Sequence, residues 1–360
     1  AVPRPAPPAR LSDARIAVVG GGPSGLTAAS DLALLGYGVT LFEAEPQLGG
    51  MLRYGIPEFR LPREVLDAEI RDIVNLGVEV RTGTRISRLK DLLEGGAQPG
   101  AGDRFQAVFV ATGAWGGRKL GIPGEEAQGV MAALSFLRDV NDGNTPVIGP
   151  DVCVIGGSDL ALDAARCAVR MPGVKNVRLA CMEGREEMRV SAGRVAEAVE
   201  EGVDIRNGLD PTRIETEGDR VSFARFRACT SVYDMYRGFR RYNPLYDDSR
   251  VTAIRADTIL IAGGRAVDAS WTGLELRPGG RILADPDSLA TNVLGIFAGG
   301  DAATGPSSLV EAVAQGHAAA ESIDAAIRGA AGVRSAGTAG STASVRVKWA
   351  APKFAPNPRP

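Results

Sequence analysis

Six consecutive residues, Gly20-Gly21-Gly22-Pro23-Ser24-Gly25, constrain this chain more than any other feature. They follow an apolar run at 15–19 (RIAVV), which predicts a buried strand, and open an apolar stretch at 26–35, which predicts a helix. A second strand at 39–43 (VTLFE) completes a β-α-β unit, so parallel strands and a right-handed crossover are expected. In that context G-x-G-x-x-G is a dinucleotide-binding fingerprint. Gly20 allows the tight turn, Gly22 lets backbone approach a pyrophosphate, and Gly25 lets helix and strand pack closely. Pro23 and Ser24 stand in the run that opens the helix, whose N-terminal N–H groups attract phosphate. Glu43, followed by Ala44, ends the second strand, where an acid accepts ribose hydroxyls and disfavours a 2′-phosphate.

The pattern returns further along. A strand at 151–155 (DVCVI) runs into Gly156-Gly157-Ser158-Asp159-Leu160-Ala161, a helix at 160–169, and a partner strand at 177–183 that ends on Glu183. More strands are expected at 106–111, 258–262 and 295–299, and a last helix at 308–328. The fold class is therefore α/β, with two Rossmann-like dinucleotide-binding domains and the second inserted in the first. The expected division is a Pro-rich arm at 1–13, a discontinuous first domain at 14–120 and 285–328, a second domain at 121–284, and an extended or disordered tail at 329–360. A length of 360 residues agrees with two domains.

Composition removes other classes. Lys plus Arg is 41 against 43 Asp plus Glu, a formal charge of −2, which argues against a nucleic-acid partner. No apolar run reaches the roughly 18–20 residues of a membrane span, and the arm lacks a signal-peptide core. The single histidine, His317, excludes multi-histidine metal sites, and its place in the last helix suggests packing rather than catalysis. Cys153, Cys167, Cys181 and Cys229 are far apart and form no C-x-x-C, so neither a local redox disulfide nor an iron–sulfur run is present. They read as reduced thiols, and a cytoplasmic location is expected.

The run from Gly49 to Pro62, GGMLRYGIPEFRLP, resembles the small (β) subunit of glutamate synthase and its relatives over about 14–328. These relatives include the FAD/NADPH region of dihydropyrimidine dehydrogenase and flavin subunits that link iron–sulfur enzymes to NAD(P). The resemblance implies a flavin disulfide reductase-like architecture in which the first site holds FAD. It carries FAD contacts to Gly50, Leu52 and Ile86, with Arg53 a further candidate cofactor-binding residue. It identifies Ala111-Thr112-Gly113 as the element returning the chain past the cofactor, and Gly300-Asp301 as the second FAD motif, with Asp301 on the ribityl chain. Ser308 and Leu309 open the last helix, whose N-terminus is implied to face the flavin pyrimidine edge. For Arg53, Tyr54 and Arg60, structural shaping and ligand contact remain equally open.

By the same resemblance, Gly156, Gly157, Ser158 and Asp159 occupy the NAD(P) loop, and Gly264 lies where that domain closes. Ser158 stands where relatives carry glycine, and residues 188–190 depart from their Met-Pro-Ala element. Glu183 stands where NADPH-using relatives place arginine, so NAD(H) is favoured over NADP(H), although Arg185 and Arg189 are near. Two such sites imply hydride transfer between nicotinamide and flavin N5, with no side-chain acid or base required. No cysteine precedes Gly20, where relatives attach their cluster domain, so single electrons are expected to pass to an iron–sulfur protein or subunit in a hetero-oligomer. Glutamate synthase and aldehyde, 2-oxoacid or formate oxidoreductases are the implied complexes. The alternatives are a self-contained FAD-dependent monooxygenase or oxidase, and a non-catalytic scaffold subunit.

Overall fold

The computed structural model describes residues 13–95, 104–236 and 239–335. In chain order the elements that matter are β1 (Arg15–Val19), α1 (Pro23–Leu34), β2 (Gly38–Phe42), α2 (Arg63–Val74), β3 (Glu79–Arg81) and β4 (Ala107–Val110). There follow β5 (Val130–Ala132), α3 (Ala133–Asn141), β6 (Asp151–Ile155), α4 (Asp159–Val169), β7 (Asn176–Ala180), α5 (Ala192–Glu200) and β8 (Val203–Arg206). Next come β9 (Leu209–Glu217), β10 (Arg220–Tyr236), β11 (Phe239–Arg255), β12 (Thr258–Ile261), β13 (Ile296–Ala298) and α6 (Leu309–Ser335).

The chain divides into two compact units. One comprises residues up to 53, 62–116 and those from 266 onward; the other comprises 54–61 and 117–265. The first has a parallel sheet in the order β13-β4-β1-β2-β3. Its central strands are buried on both faces, which explains their unbroken apolar sequences. The second repeats the wiring as β5-β12-β6-β7-β8, again all parallel. It adds an antiparallel sheet, β9-β10-β11, that the sequence reading did not foresee.

The expected boundaries shift for physical reasons. Residues 266–284 fall in the first unit because Val267, Ala269, Leu274, Ile282 and Ala284 are buried in one cluster with Val108 and Ile296. Residues 54–61 fall in the second because their side chains dock on α4, as detailed below. The last helix outruns the expected 328 and continues to Ser335. Residues 1–12 of the expected arm and 336–360 of the expected tail lie outside the described residues.

α6 lies on α1. Gly316 makes this close crossing possible, since a Cβ there would come within 2.6 Å of the Ser24 carbonyl oxygen. Tyr37 donates to Asp324 at 2.6 Å. His317 departs from the expectation of packing: its ring is half exposed and its Nδ1 meets Asp31 on α1 at 2.5 Å. No helix among the described residues is long and apolar enough to cross a membrane.

Candidate dinucleotide sites

Each unit builds one glycine loop, and the two are constructed alike. Gly20 adopts φ +111° and Gly156 φ +138°, where only glycine is comfortable. A Cβ on Gly20 would meet the Ala111 carbonyl oxygen at 2.4 Å, and one on Gly156 would meet the Ala262 carbonyl oxygen at 2.6 Å. Each first glycine donates its N–H to the end of the neighbouring strand, Gly20 to Phe42 at 2.8 Å and Gly156 to Ala180 at 2.9 Å. An acid lies against the second glycine of each turn. Glu43 accepts from Gly21 N at 2.7 Å and Glu45 N at 2.8 Å. A Cβ on Gly157 would lie 2.6 Å from Glu183 Oε2. Burial of the Glu43 carboxyl raises its pKa, and the N–H donors of Glu45 and Gly21 oppose that rise.

The first loop fits a pyrophosphate. Gly25 is fixed by packing, because a Cβ there would strike the Gly20 carbonyl oxygen at 1.9 Å. Gly22 is not: its nearest neighbour would be Gly50 Cα at 3.9 Å, so the space over it is open. Beside it the Ser24 hydroxyl is buried without a hydrogen-bond partner among the described residues, an unmet polar group at the N-terminal turn of α1. Gly300, close to the Ser24 side chain, donates to Gln315 at 2.7 Å. Asp301 accepts from Ser307 N and Oγ, both at 2.9 Å, which shapes the turn into α6. Ser308 and Glu311 cap α6 reciprocally, and Leu309 and Val310 are exposed there at 48% and 76%.

Several expected contacts are engaged by the protein itself. The buried Arg53 donates to the Leu48 carbonyl at 2.6 Å and pairs with Asp67, which orders the 48–53 turn. The Ile86 side chain is buried in the core beside Phe42 and Leu89. Ala44 follows Glu43 at the strand end, Gly50 adopts φ +52° against Gly22, and Leu52 packs partly buried on the core. Thr112 accepts from the Trp115 indole at 3.0 Å, and Gly113 adopts φ +74°.

In the second loop, Ser158 caps α4 by position only. Its side chain makes no cap hydrogen bond and is exposed, at a helix end whose first N–H groups have no intrahelical partner. Gly264 takes φ +103° and accepts from Arg118 N at 3.0 Å. One turn below Asp159, a charge cluster went unread in the sequence. Asp163, with 4% of its side chain exposed, accepts from Arg60 at 2.6 Å and from Arg194 of α5 at 2.7 Å, while Arg194 also pairs with Asp159. Phe59 lies under the guanidinium groups of Arg166 and Arg170 at 4.7 and 4.3 Å. Tyr54, 2% exposed, carries Arg138 over its ring. Arg60 and Tyr54 thus shape the second unit. The available signal for Asp163 was an acid amid the apolar positions of α4.

All four cysteines are free and buried. Burial pushes the thiols of Cys153, Cys167 and Cys181 up to about 12, which leaves no thiolate nucleophile among them. No group of His, Cys, Asp and Glu among the described residues is arranged to hold a metal ion.

Residues 14–316 match the pyridine nucleotide-disulphide oxidoreductase family. The chain belongs to that family. It is 38% identical over 322 residues to the β subunit of the NADP(+)-dependent formate dehydrogenase of Moorella thermoacetica, covering 88% of this chain and 44% of that one. It is 32% identical over 331 residues to the glutamate synthase (NADPH) small chain of Escherichia coli, covering 86% and 68%. The chain thus spans less than half the length of the formate dehydrogenase subunit. Among solved structures, Mycobacterium tuberculosis FprA in complex with NADPH matches with a TM-score of 0.71 at 16% identity, over 90% of this chain and 86% of that one. Thioredoxin reductase of T. acidophilum matches at 0.62 and 21% identity, over 86% and 96%. The fold is that of the flavin disulfide reductases, and the family's cofactors, FAD and a pyridine nucleotide, are those of this chain. It is an FAD-dependent NAD(P)H oxidoreductase of the glutamate synthase small-chain type, without the redox disulfide of the family's name.

Proposed function

We propose that this chain is the FAD-containing electron-transfer subunit of a multisubunit oxidoreductase, coupling NAD(H) to an iron–sulfur cluster on a partner subunit. What carries the reading is the duplicated loop: two glycine turns of one construction, each with an acid lying against its second glycine. Bound FAD would supply the two-to-one-electron conversion, taking a hydride at N5 and releasing electrons singly. The chain's own residues bind and orient. Gly20, Gly22, Gly25 and the Pro23–Ser24 turn hold the pyrophosphate of FAD, and Glu43 its ribose. Asp301 takes the ribityl chain, and the Ser308–Leu309 turn covers the flavin edge. Gly156 to Asp159 take the second pyrophosphate, with Glu183 on the adenosine ribose.

Relatives named as subunits support the assembly: a formate dehydrogenase β subunit and an NADPH-Fe(3+) oxidoreductase subunit β of Geobacter sulfurreducens. Their names specify NADP or NADPH, which favours a second reading in which NADPH is the donor. Against it stands the Glu183 carboxylate, which would face a 2′-phosphate of like charge. Anaerobic titration of the yellow protein decides. Bleaching of the flavin by near-stoichiometric NADH, and by NADPH only in large excess, is the expected result. The reverse order would overturn the NAD(H) assignment. Rapid oxygen turnover without a partner would favour a self-contained oxidase. Glu183→Arg is expected to shift the NADPH:NADH ratio of kcat/KM by about tenfold or more toward NADPH. An unchanged ratio would remove Glu183 from the choice.

A further inference from the structure

The antiparallel hairpin of β10 and β11 is the one large element that the dinucleotide reading leaves without a role. Its root is fastened to the loop that follows β7. Glu187 on that loop accepts from Gly184 N at 2.8 Å, and on the hairpin from Ser231 Oγ at 3.1 Å and Val232 N at 3.2 Å. Asn207 donates to the Glu183 carbonyl at 2.9 Å, and Cys229 N donates to Gly208, the next residue, at 2.8 Å. Where it meets the loop, the β10–β11 ladder slips three times, between Arg227/Ala228, Cys229/Ser231 and Ser231/Tyr233. Such bulges re-aim side chains and are enriched beside binding sites.

Tyr233, just past the last slip, is held on two sides. The Arg189 guanidinium of the 184–190 loop lies 5.4 Å from its ring centroid, and Tyr242 of β11 meets it edge-to-face at 6.0 Å and 76°. Arg189 is exposed and Tyr242 is 61% exposed, so the group presents an aromatic and cationic surface beside Glu183. In a dinucleotide fold the acid at the end of the second strand takes the adenosine ribose, so adenine lies over the loop that follows it. Here that loop is the one to which the hairpin is tied.

We infer that the hairpin root is the adenosine wall of the second dinucleotide site, with Tyr233 and the Arg189 stacked on it recognising the adenine end of the nicotinamide cofactor. The inference rests on the reading that the second loop binds that cofactor. Glu187 is a positioning residue, since it holds the hairpin against the loop without reaching the ligand itself. The chemistry is sequence-tolerant stacking of a purine on an aromatic face and a guanidinium plane.

The test is anaerobic flavin reduction by NADH, with 5′-AMP and nicotinamide mononucleotide as competing probes, on wild type, Tyr233→Ala, Tyr233→Phe, Arg189→Ala and the double alanine variant. Tyr233→Ala is expected to raise the apparent KM for NADH about tenfold, and to weaken 5′-AMP inhibition by the same factor, with kcat and nicotinamide mononucleotide inhibition unchanged. Tyr233→Phe restores wild-type values, and the double variant is no weaker than the worse single one. A KM within about twofold of wild type in Tyr233→Ala overturns the inference, as does a loss that falls on kcat. Should Tyr233→Ala fail to retain flavin, Arg189→Ala, which alters only an exposed side chain, carries the same test. If neither nucleotide reduces the wild-type flavin, it is the underlying cofactor reading that fails.

Discussion

At the scale of single residues, two glycines of one motif serve different ends, and the difference is measurable. Gly25 has no room for a side chain because the Gly20 carbonyl oxygen stands in its place, 1.9 Å from where a Cβ would go. Gly22 has room and ordinary backbone angles, φ −79° and ψ −176°, so its lack of a side chain matters only to something laid over it. Gly25→Ala is therefore expected to destabilise the apoprotein by about 1–3 kcal/mol, the usual range for overpacking. Gly22→Ala is expected to leave apoprotein stability within about 0.5 kcal/mol of wild type and yet to lose bound flavin. Thermal melts of the apoproteins, with flavin-to-protein absorbance ratios of the holoproteins, separate the two. If Gly22→Ala retained full flavin, the space above Gly22 would not be the pyrophosphate seat.

At the scale of elements, Asp163 shows how three segments meet on one buried charge. Segment 54–61 brings Arg60, α5 brings Arg194, and α4 itself contributes Arg166, Asp159 and Cys167 nearby. Burial pushes the Asp163 carboxyl from 3.8 up to about 6, against the pull of Arg60 and Arg166. Because this value is raised above that of the unfolded chain, the native state holds the extra proton between about pH 4 and 6. The stability linked to this group is thus full below about pH 4 and is lost as pH rises through about 6. Compared with Asp163→Asn, wild type is expected to lose relative stability over that window in denaturant titrations. A slope of the opposite sign would mean that Arg60 and Arg194 outweigh desolvation.

Only the acid amid the apolar positions of α4 was legible in the sequence, and its partners were not, because the cluster is assembled from three stretches that only tertiary packing brings together. The parallel strands were legible, since burial on both faces leaves runs such as VCVI and FV with no polar interruption. The glycine loops were legible because backbone geometry restricts those positions to one residue type. The hairpin was not, because its strands are only partly buried and mix Arg, Asp and Tyr, with Pro244 inside β11 arguing against a strand. Two residues carried over from the family resemblance also have partners within the protein. Arg53 is engaged by Leu48 and Asp67, and Ile86 by the core.

For the whole molecule, two units with separate cores and the same strand order mean that stability is not one quantity. Each unit carries its own loop, so each is expected to be stabilised by its own ligand through mass action. At a free concentration one hundred times Kd, a ligand adds about 2.7 kcal/mol to the unit that binds it. For a unit of roughly 150–200 residues this corresponds to a shift of about 5–10 °C in its midpoint. Differential scanning calorimetry of the apoprotein is thus expected to resolve two transitions, with added FAD raising one and NADH raising the other. The assignment of transitions follows from the variants above: Gly22→Ala should abolish the response to FAD and leave that to NADH, and Tyr233→Ala should keep the response to FAD and cut that to NADH to about half. A single transition that rises with both ligands would show that the units unfold as one cooperative body, and that the binding energy of either site is shared by the whole chain.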